Sequence, residues 1–72
     1  MLNTNDKYLI GRWFPGQGRY GHEFRDTYQS IESAQPAFDA PMAPYQTQVF
    51  LYEIIWDGDK VSKFQKIQSR KR

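Results

Sequence analysis

The sequence contains no cysteine, which excludes disulfide bonds and any metal site built on thiolates. It has one histidine, so several imidazoles cannot hold a zinc ion either. No apolar run approaches the roughly 20 residues that a membrane-spanning helix needs. The first seven residues are polar and include Asp6, unlike a secretory signal. We therefore expect a cytoplasmic protein that uses no metal or cofactor and contacts no membrane.

Large aliphatic residues are scarce. The two Trp, five Tyr and five Phe together outnumber all Leu, Ile and Val residues. A domain of this length buries only about 60% of the surface of its unfolded chain, so its core is small. Tyr, Trp and Arg dominate binding hot spots, so rings displayed at the surface would serve a partner. We expect one globular domain over residues 1–68, with residues 69–72 forming a disordered basic tail.

The net charge of +2 conceals a separation of charge along the chain. Residues 1–59 hold eight acidic and four basic residues, whereas residues 60–72 hold six basic residues and no acid. The C-terminal end could therefore contact phosphates without sequence preference. The acidic body argues against a broad nucleic-acid face.

Aromatic and β-branched residues predict a first strand at Tyr8–Phe14, a turn at residues 15–18 and a second strand at residues 19–26. A longer strand at residues 46–56 is apolar on both faces, which is typical of a central strand. The Asp-Gly pair at Gly58 predicts a hairpin turn. The strand that returns, residues 60–68, would need a bulge, and the spacing of Val61, Phe64 and Ile67 leaves a short helix as the rival interpretation.

One helix is expected after Ser30, whose side chain can cap its first turn. Ile31, Ala34 and Phe38 would form its buried stripe. Pro36 makes the helix short, kinked, or started nearer Ser33, because proline inside a helix removes a hydrogen bond. The predicted fold is α+β: a small antiparallel sheet of three to four strands in the order β-β-α-β-β, with one short helix on one face.

One short helix cannot cover both faces of such a sheet. Either a partner, a second copy of the chain or the folded loop at residues 39–45 covers the other face, or the sheet curls and covers itself. Cover by a partner or a second copy would make this face a binding surface, whereas a sheet that curls over itself would leave none.

Three local patterns resemble catalytic or ligand motifs but have simpler explanations. Residues 16–21 match G-x-G-x-x-G, yet a strand follows where dinucleotide binding needs a helix. His22 has Glu23 on the opposite face of its strand, and it lacks an oriented partner. Asp57 and Asp59 flank a turn glycine. We therefore expect a protein that is not an enzyme.

The candidate partner-binding residues are rings and arginines near the first hairpin and along the central strand, the composition of a protein-binding hot spot: Tyr8, Arg12, Trp13, Phe14, Arg19, Tyr20, Tyr52 and Trp56. The alternative is a small nucleic-acid-binding module in which exposed rings stack on bases and the basic end contacts phosphates. Its candidate residues are Lys63, Lys66, Arg70, Lys71 and Arg72.

The succession of Tyr8–Phe14, residues 20–24, residues 30–34 and residues 46–56 resembles very small bacteriophage-encoded regulators that bind host machinery such as RNA polymerase. The resemblance implies a protein in the host bacterial cytoplasm that docks on a large host complex and regulates or inhibits transcription without catalysis. The strongly acidic, DNA-mimicking proteins of that kind are not matched, because the charge here is positive. A homo-oligomer also stays possible.

Overall fold

The computed structural model describes residues 2–16 and 21–72, which form four strands and one helix. The order is β-β-α-β-β, as predicted. The elements are β1 Tyr8–Phe14, β2 His22–Tyr28, α1 Ile31–Asp39, β3 Gln48–Asp57 and β4 Lys60–Lys71. The strands form one antiparallel sheet in the order β2-β1-β3-β4. The chain is thus an α+β domain in which β1 and β3 are the central strands.

β4 is a strand, so the rival interpretation of a helix is wrong. It pairs with β3 across a turn in which Gly58 has φ of +64°, a left-handed conformation that favours glycine. The register shifts twice, which leaves Ser62 and Ile67 as extra residues on β4. These two bulges explain why the apolar spacing of β4 does not follow a simple alternation.

The helix begins at Ile31 and has nine residues, so it is short, as Pro36 required. The side-chain oxygen of Ser30 accepts a hydrogen bond of 3.2 Å from the backbone N–H of Ser33, the expected N-cap. Pro36 lies on the exposed side, and Ala34 and Phe38 are buried against the sheet. One stripe of the helix therefore closes the core.

The core lies between α1 and the centre of the sheet. Its buried members are Ile10, Ala34, Phe38, Val49 and Leu51. The sheet register explains this set, because Ile10 pairs with Leu51 across β1 and β3, and Val49 shares their face. The helix therefore covers the centre of one face of the sheet.

The other face is only partly covered by the chain itself. Leu9 and Ile54 are 4% and 3% exposed on that side. Leu2 and Phe64 line a shallow cavity of about 380 Å³ over Leu9. This cover lies at the end of the face where β1 begins, and the rings further along it stay half-buried. The chain thus covers part of this face itself, and the loop at residues 39–45 does not contribute, because Met42 packs against the core on the helix side.

The C-terminal end differs from the predicted disordered tail at residues 69–72, because β4 continues through Lys71. Arg70 donates from Nη2 to the backbone oxygens of Phe38 and Ala40, at 2.8 and 2.6 Å. Arg72 donates from its backbone N–H to the oxygen of Thr47, at 2.8 Å. These bonds fix the end of the chain to the helix C-terminus and to the loop after it.

No helix in the described residues is long and apolar enough to cross a membrane.

Candidate binding face of the sheet

The sheet face opposite α1 collects aromatic, basic and small residues from all four strands. Alternation along the paired strands places these side chains together. We call the part of this face that the chain leaves uncovered the open face, and its residues are Gly11, Trp13, Glu23, Arg25, Gln48, Phe50, Tyr52, Lys66, Ser69 and Lys71.

Two rings on the central strand β3 form the middle of the open face. Phe50 and Tyr52 stand two residues apart, and their ring centroids are 6.0 Å apart at a tilt of 39°. Both are only half-buried. The ammonium nitrogen of Lys66 lies 4.7 Å from the centroid of Phe50, a cation–π contact. The face therefore presents a ring that already holds a cation above it.

Trp13 adds a third ring at the end of the open face where β2 begins. Its six-membered ring packs so closely on Gly21 that a Cβ there would collide with it. The glycine that precedes β2 thus leaves room for the indole on the sheet. Since Trp13 and Phe50 lie on neighbouring strands, three rings share one surface.

Positive charge predominates on the open face. Among the described residues it carries Arg25, Lys66 and Lys71 against one acid, Glu23, whose Oε2 accepts a long bond of 3.3 Å from Arg25. Partial burial and the nearby charge of Glu23 raise the pKa of Tyr52, although Arg25 acts in the other direction. Tyr52 is therefore a neutral ring at physiological pH.

No family model matches the chain, and no curated protein and no solved structure is significantly similar to it. The geometry of its surfaces is therefore what supports a function.

The eight predicted partner-binding residues do not form one site. Trp13 and Tyr52 lie on the open face. Tyr8 packs against the helix-side core, and Arg12 and Phe14 share that side of β1. Trp56 lies on the same side of the sheet as Tyr52, at its covered end, where its indole N–H donates to the backbone oxygen of Asp6 at 2.8 Å. Arg19 and Tyr20 lie outside the described residues.

The five predicted basic residues also separate. Lys66 and Lys71 lie on the open face, whereas Lys63 pairs with Ile55 on the opposite side. Arg70 and Arg72 donate to backbone oxygens between residues 38 and 43. The two arginines thus hold the fold together, and of the three lysines only Lys66 and Lys71 share the open face.

Sequence reasoning missed six residues of the open face: Gly11, Glu23, Arg25, Gln48, Phe50 and Ser69. For Phe50 the sequence does carry a signal, because alternation along the strand puts it on the same face as Tyr52. Gly11 and Glu23 meet only because β1 and β2 pair in one particular register. No local pattern in the sequence reports that register.

The structure describes all or part of the three local patterns that resemble catalytic or ligand motifs. His22 pairs with Phe14 on the helix side of the sheet, and Glu23 pairs with Trp13 on the open face. No group of three or more potential metal ligands occurs in residues 2–16 and 21–72. The glycine-rich stretch at residues 16–21, part of which lies outside the described residues, is followed by β2 and not by a helix.

Proposed function

We propose that this protein is a non-catalytic module that binds single-stranded nucleic acid on its open face. The observation that carries the proposal is the coincidence, on one half-exposed sheet face, of three rings with three basic side chains. Unpaired bases stack on such rings, and each stacked base contributes roughly 1–3 kcal/mol. A duplex keeps its bases stacked on each other and cannot use them.

The distribution of charge favours a polyanion on this face. The open face carries three cations and one acid. Most acids lie elsewhere: Glu32 and Asp39 are on the helix, and Glu53 is on the helix side of β3. A backbone of phosphates would therefore be attracted to the open face.

The affinity should fall as the salt concentration rises, and the steepness of the fall should reflect the number of cations on the open face. If Arg25, Lys66 and Lys71 each neutralise one phosphate, the logarithm of the affinity falls with the logarithm of salt concentration with a slope of about −2 for single strands. That slope means a loss of roughly 20-fold between 50 and 200 mM salt. Fluorescence anisotropy with a labelled mixed-sequence 12-mer measures it.

The lysines of β4 provide the matched control. Lys66→Ala should lower the slope by about 0.7, whereas Lys63→Ala should leave it unchanged, because Lys63 lies on the other side of the same strand. A slope near zero, or equal effects of the two variants, would show that the open face is not the binding surface.

A second candidate function is docking on a protein through the helix side of β1 and β2. Phe24 is 59% exposed and packs edge-on against Phe14, with ring centroids 5.3 Å apart. Arg12 pairs with Phe24 across the strands and holds Asp26 in an ion pair of 2.6 Å. Exposed aromatic rings beside an arginine have the composition of a protein-binding hot spot.

For that second candidate, bacterial RNA polymerase is the partner that the resemblance to small phage regulators suggests. Immobilised protein should recover polymerase subunits from bacterial lysate, and Phe24→Ser should lower the recovery about tenfold or more, as expected of a hot spot. Phe50→Ser, an equal change on the open face, is the control. Recovery of no polymerase subunit by the unmodified protein ends this candidate and leaves the first untouched.

A further inference from the structure

Glu23 is the one acid among cations on the open face, and its place there depends on Gly11. The two residues are diagonal neighbours on β1 and β2, because Gly11 pairs with Arg25 and Glu23 pairs with Trp13. A Cβ on Gly11 would collide with the carboxylate oxygen Oε1 of Glu23. Glycine weakens the interior of a strand, and it is typically found where another group approaches the backbone closely. Here the approaching group is the carboxylate.

The carboxylate of Glu23 is short of donors. Its Oε1 is inaccessible to solvent and has no hydrogen-bond partner among residues 2–16 and 21–72. Its Oε2 has only the long bond from Arg25. An unsatisfied buried acceptor is costly, and such a group in a folded protein calls for an explanation. The surrounding residues of the open face offer rings and cations, but they leave this oxygen unpaired.

Neighbouring residues place the carboxylate where a stacked base would reach it. The carboxylate lies against Gly11, which pairs with Phe50 of β3. Trp13, its cross-strand partner, flanks it on the same face. A base that stacks on these rings therefore brings its polar edge to Glu23. The flexible side chain can then turn from the glycine floor towards that edge.

A carboxylate only accepts hydrogen bonds, so it selects bases by their donors. Guanine offers two adjacent donors on its Watson–Crick edge, N1–H and the N2 amino group, which match the two carboxylate oxygens. Thymine and uracil offer one N–H between two carbonyl oxygens, which a carboxylate repels. Adenine and cytosine offer a single amino group beside an acceptor nitrogen.

We propose that Glu23 makes the open face prefer guanine, by accepting from N1–H and N2–H of one stacked base. The proposal rests on the proposed function, because it needs a single strand on the open face. Arg25 completes the arrangement by neutralising the carboxylate before the base arrives and by remaining beside the phosphates afterwards.

The test compares labelled 12-mers that are all thymine except for one central base, which is guanine, inosine, adenine, cytosine or thymine. We expect guanine to bind about tenfold more tightly than thymine, the effect of one good bidentate contact. Inosine, which lacks the N2 amino group, should lose most of this gain. A second series in RNA, with uracil as the background, reports whether the sugar matters.

Glu23→Gln keeps the shape of the side chain and should abolish the preference, because an amide presents one donor and one acceptor. Its affinity for the all-thymine strand should rise, since a negative charge has left the face. Glu53→Gln removes the same charge from the helix side of the sheet and should retain the preference. Circular dichroism verifies that both variants fold.

The outcomes separate the two proposals. Equal affinity for all five strands, or an unchanged guanine preference in Glu23→Gln, overturns the role of Glu23 and leaves the nucleic-acid function in place. Failure of the unmodified protein to bind any single strand at low salt overturns both.

Discussion

Replacing both β3 rings of the open face by leucine, as Phe50→Leu with Tyr52→Leu, should nearly abolish binding to single-stranded nucleic acid. Leucine keeps a large apolar side chain on the strand but has no π face for a base. Each lost stack costs roughly 1–3 kcal/mol, so each substitution should raise the dissociation constant by about 5- to 150-fold. Loss of Phe50 also frees Lys66 from its cation–π contact. Fluorescence anisotropy at fixed low salt measures the change.

The chain supplies a matched control for this prediction. Phe24→Leu removes an exposed ring from the opposite side of the sheet, where no base is expected to stack. It should leave the affinity within about twofold, because a surface substitution away from the site has a small effect. If the β3 double variant binds as well as the unmodified protein while Phe24→Leu does not, the binding surface lies on the helix side and the open face has been wrongly chosen.

The thermal midpoints of these variants should fall only slightly. Phe50 and Tyr52 are half-buried, and both lie on the side of the sheet away from the helix-packed core. A collapse of the thermal midpoint together with binding would mean that the rings stabilise the sheet, and that their effect on affinity is indirect. The two measurements together therefore distinguish a binding role from a structural one.

The fold could be predicted from the sequence because its strongest signals are local. The alternation over residues 46–56 assigned each β3 side chain to a face, and the register confirms that assignment. The Asp-Gly pair fixed the turn at Gly58, and Ser30 fixed the start of the helix. Each of these depends on residues within a few positions of one another, where backbone geometry alone limits the alternatives.

The candidate site was predicted only in part because it depends on strand register and on distant backbone atoms. Gly11 and Glu23 are 12 residues apart in the chain, and they meet only when β1 and β2 pair in one register. A basic run at the C-terminus looks like a solvated tail from the sequence. The acceptors that order it are carbonyl oxygens of the helix end and the loop, about 30 residues away. Every residue has a backbone carbonyl, so no pattern of side chains in the sequence predicts which carbonyls will accept these hydrogen bonds.

Arg70 is the clearest example of a residue whose partners are distant backbone carbonyls. Its replacement should destabilise the fold more than replacement of Lys63, Lys66 or Lys71. Its Nη2 donates to two carbonyls at the C-terminus of α1, the negative end of the helix dipole. Its guanidinium carbon also lies 5.8 Å from the ring centroid of Phe38, a core residue. One side chain thus joins β4, the helix end and the core.

We expect Arg70→Met to lower the free energy of unfolding by about 2–3 kcal/mol, because hydrogen bonds from a charged donor contribute roughly 1.5–3 kcal/mol and methionine keeps only the apolar stem. For a domain of this size, that loss lowers the melting temperature by roughly 10–20 °C. Arg70→Lys should recover part of it, since an ammonium group can still reach one carbonyl. Thermal and urea unfolding measure the effect.

Substitution of the adjacent Lys71 distinguishes the effect of losing a positive charge from the effect of losing the contacts of Arg70. Lys71→Met removes the same charge from the next position of β4, but on the open face, and it should change stability by less than about 0.5 kcal/mol. The order should reverse for nucleic acid: Lys71→Met should weaken binding and reduce its salt dependence, whereas folded Arg70→Met should bind almost normally. Equal stability of the two variants would show that Arg70 does not anchor the helix end. Weaker binding by folded Arg70→Met would show that Arg70 contacts phosphates as well. The two neighbouring residues therefore test whether β4 stabilises the fold on one side and binds a ligand on the other.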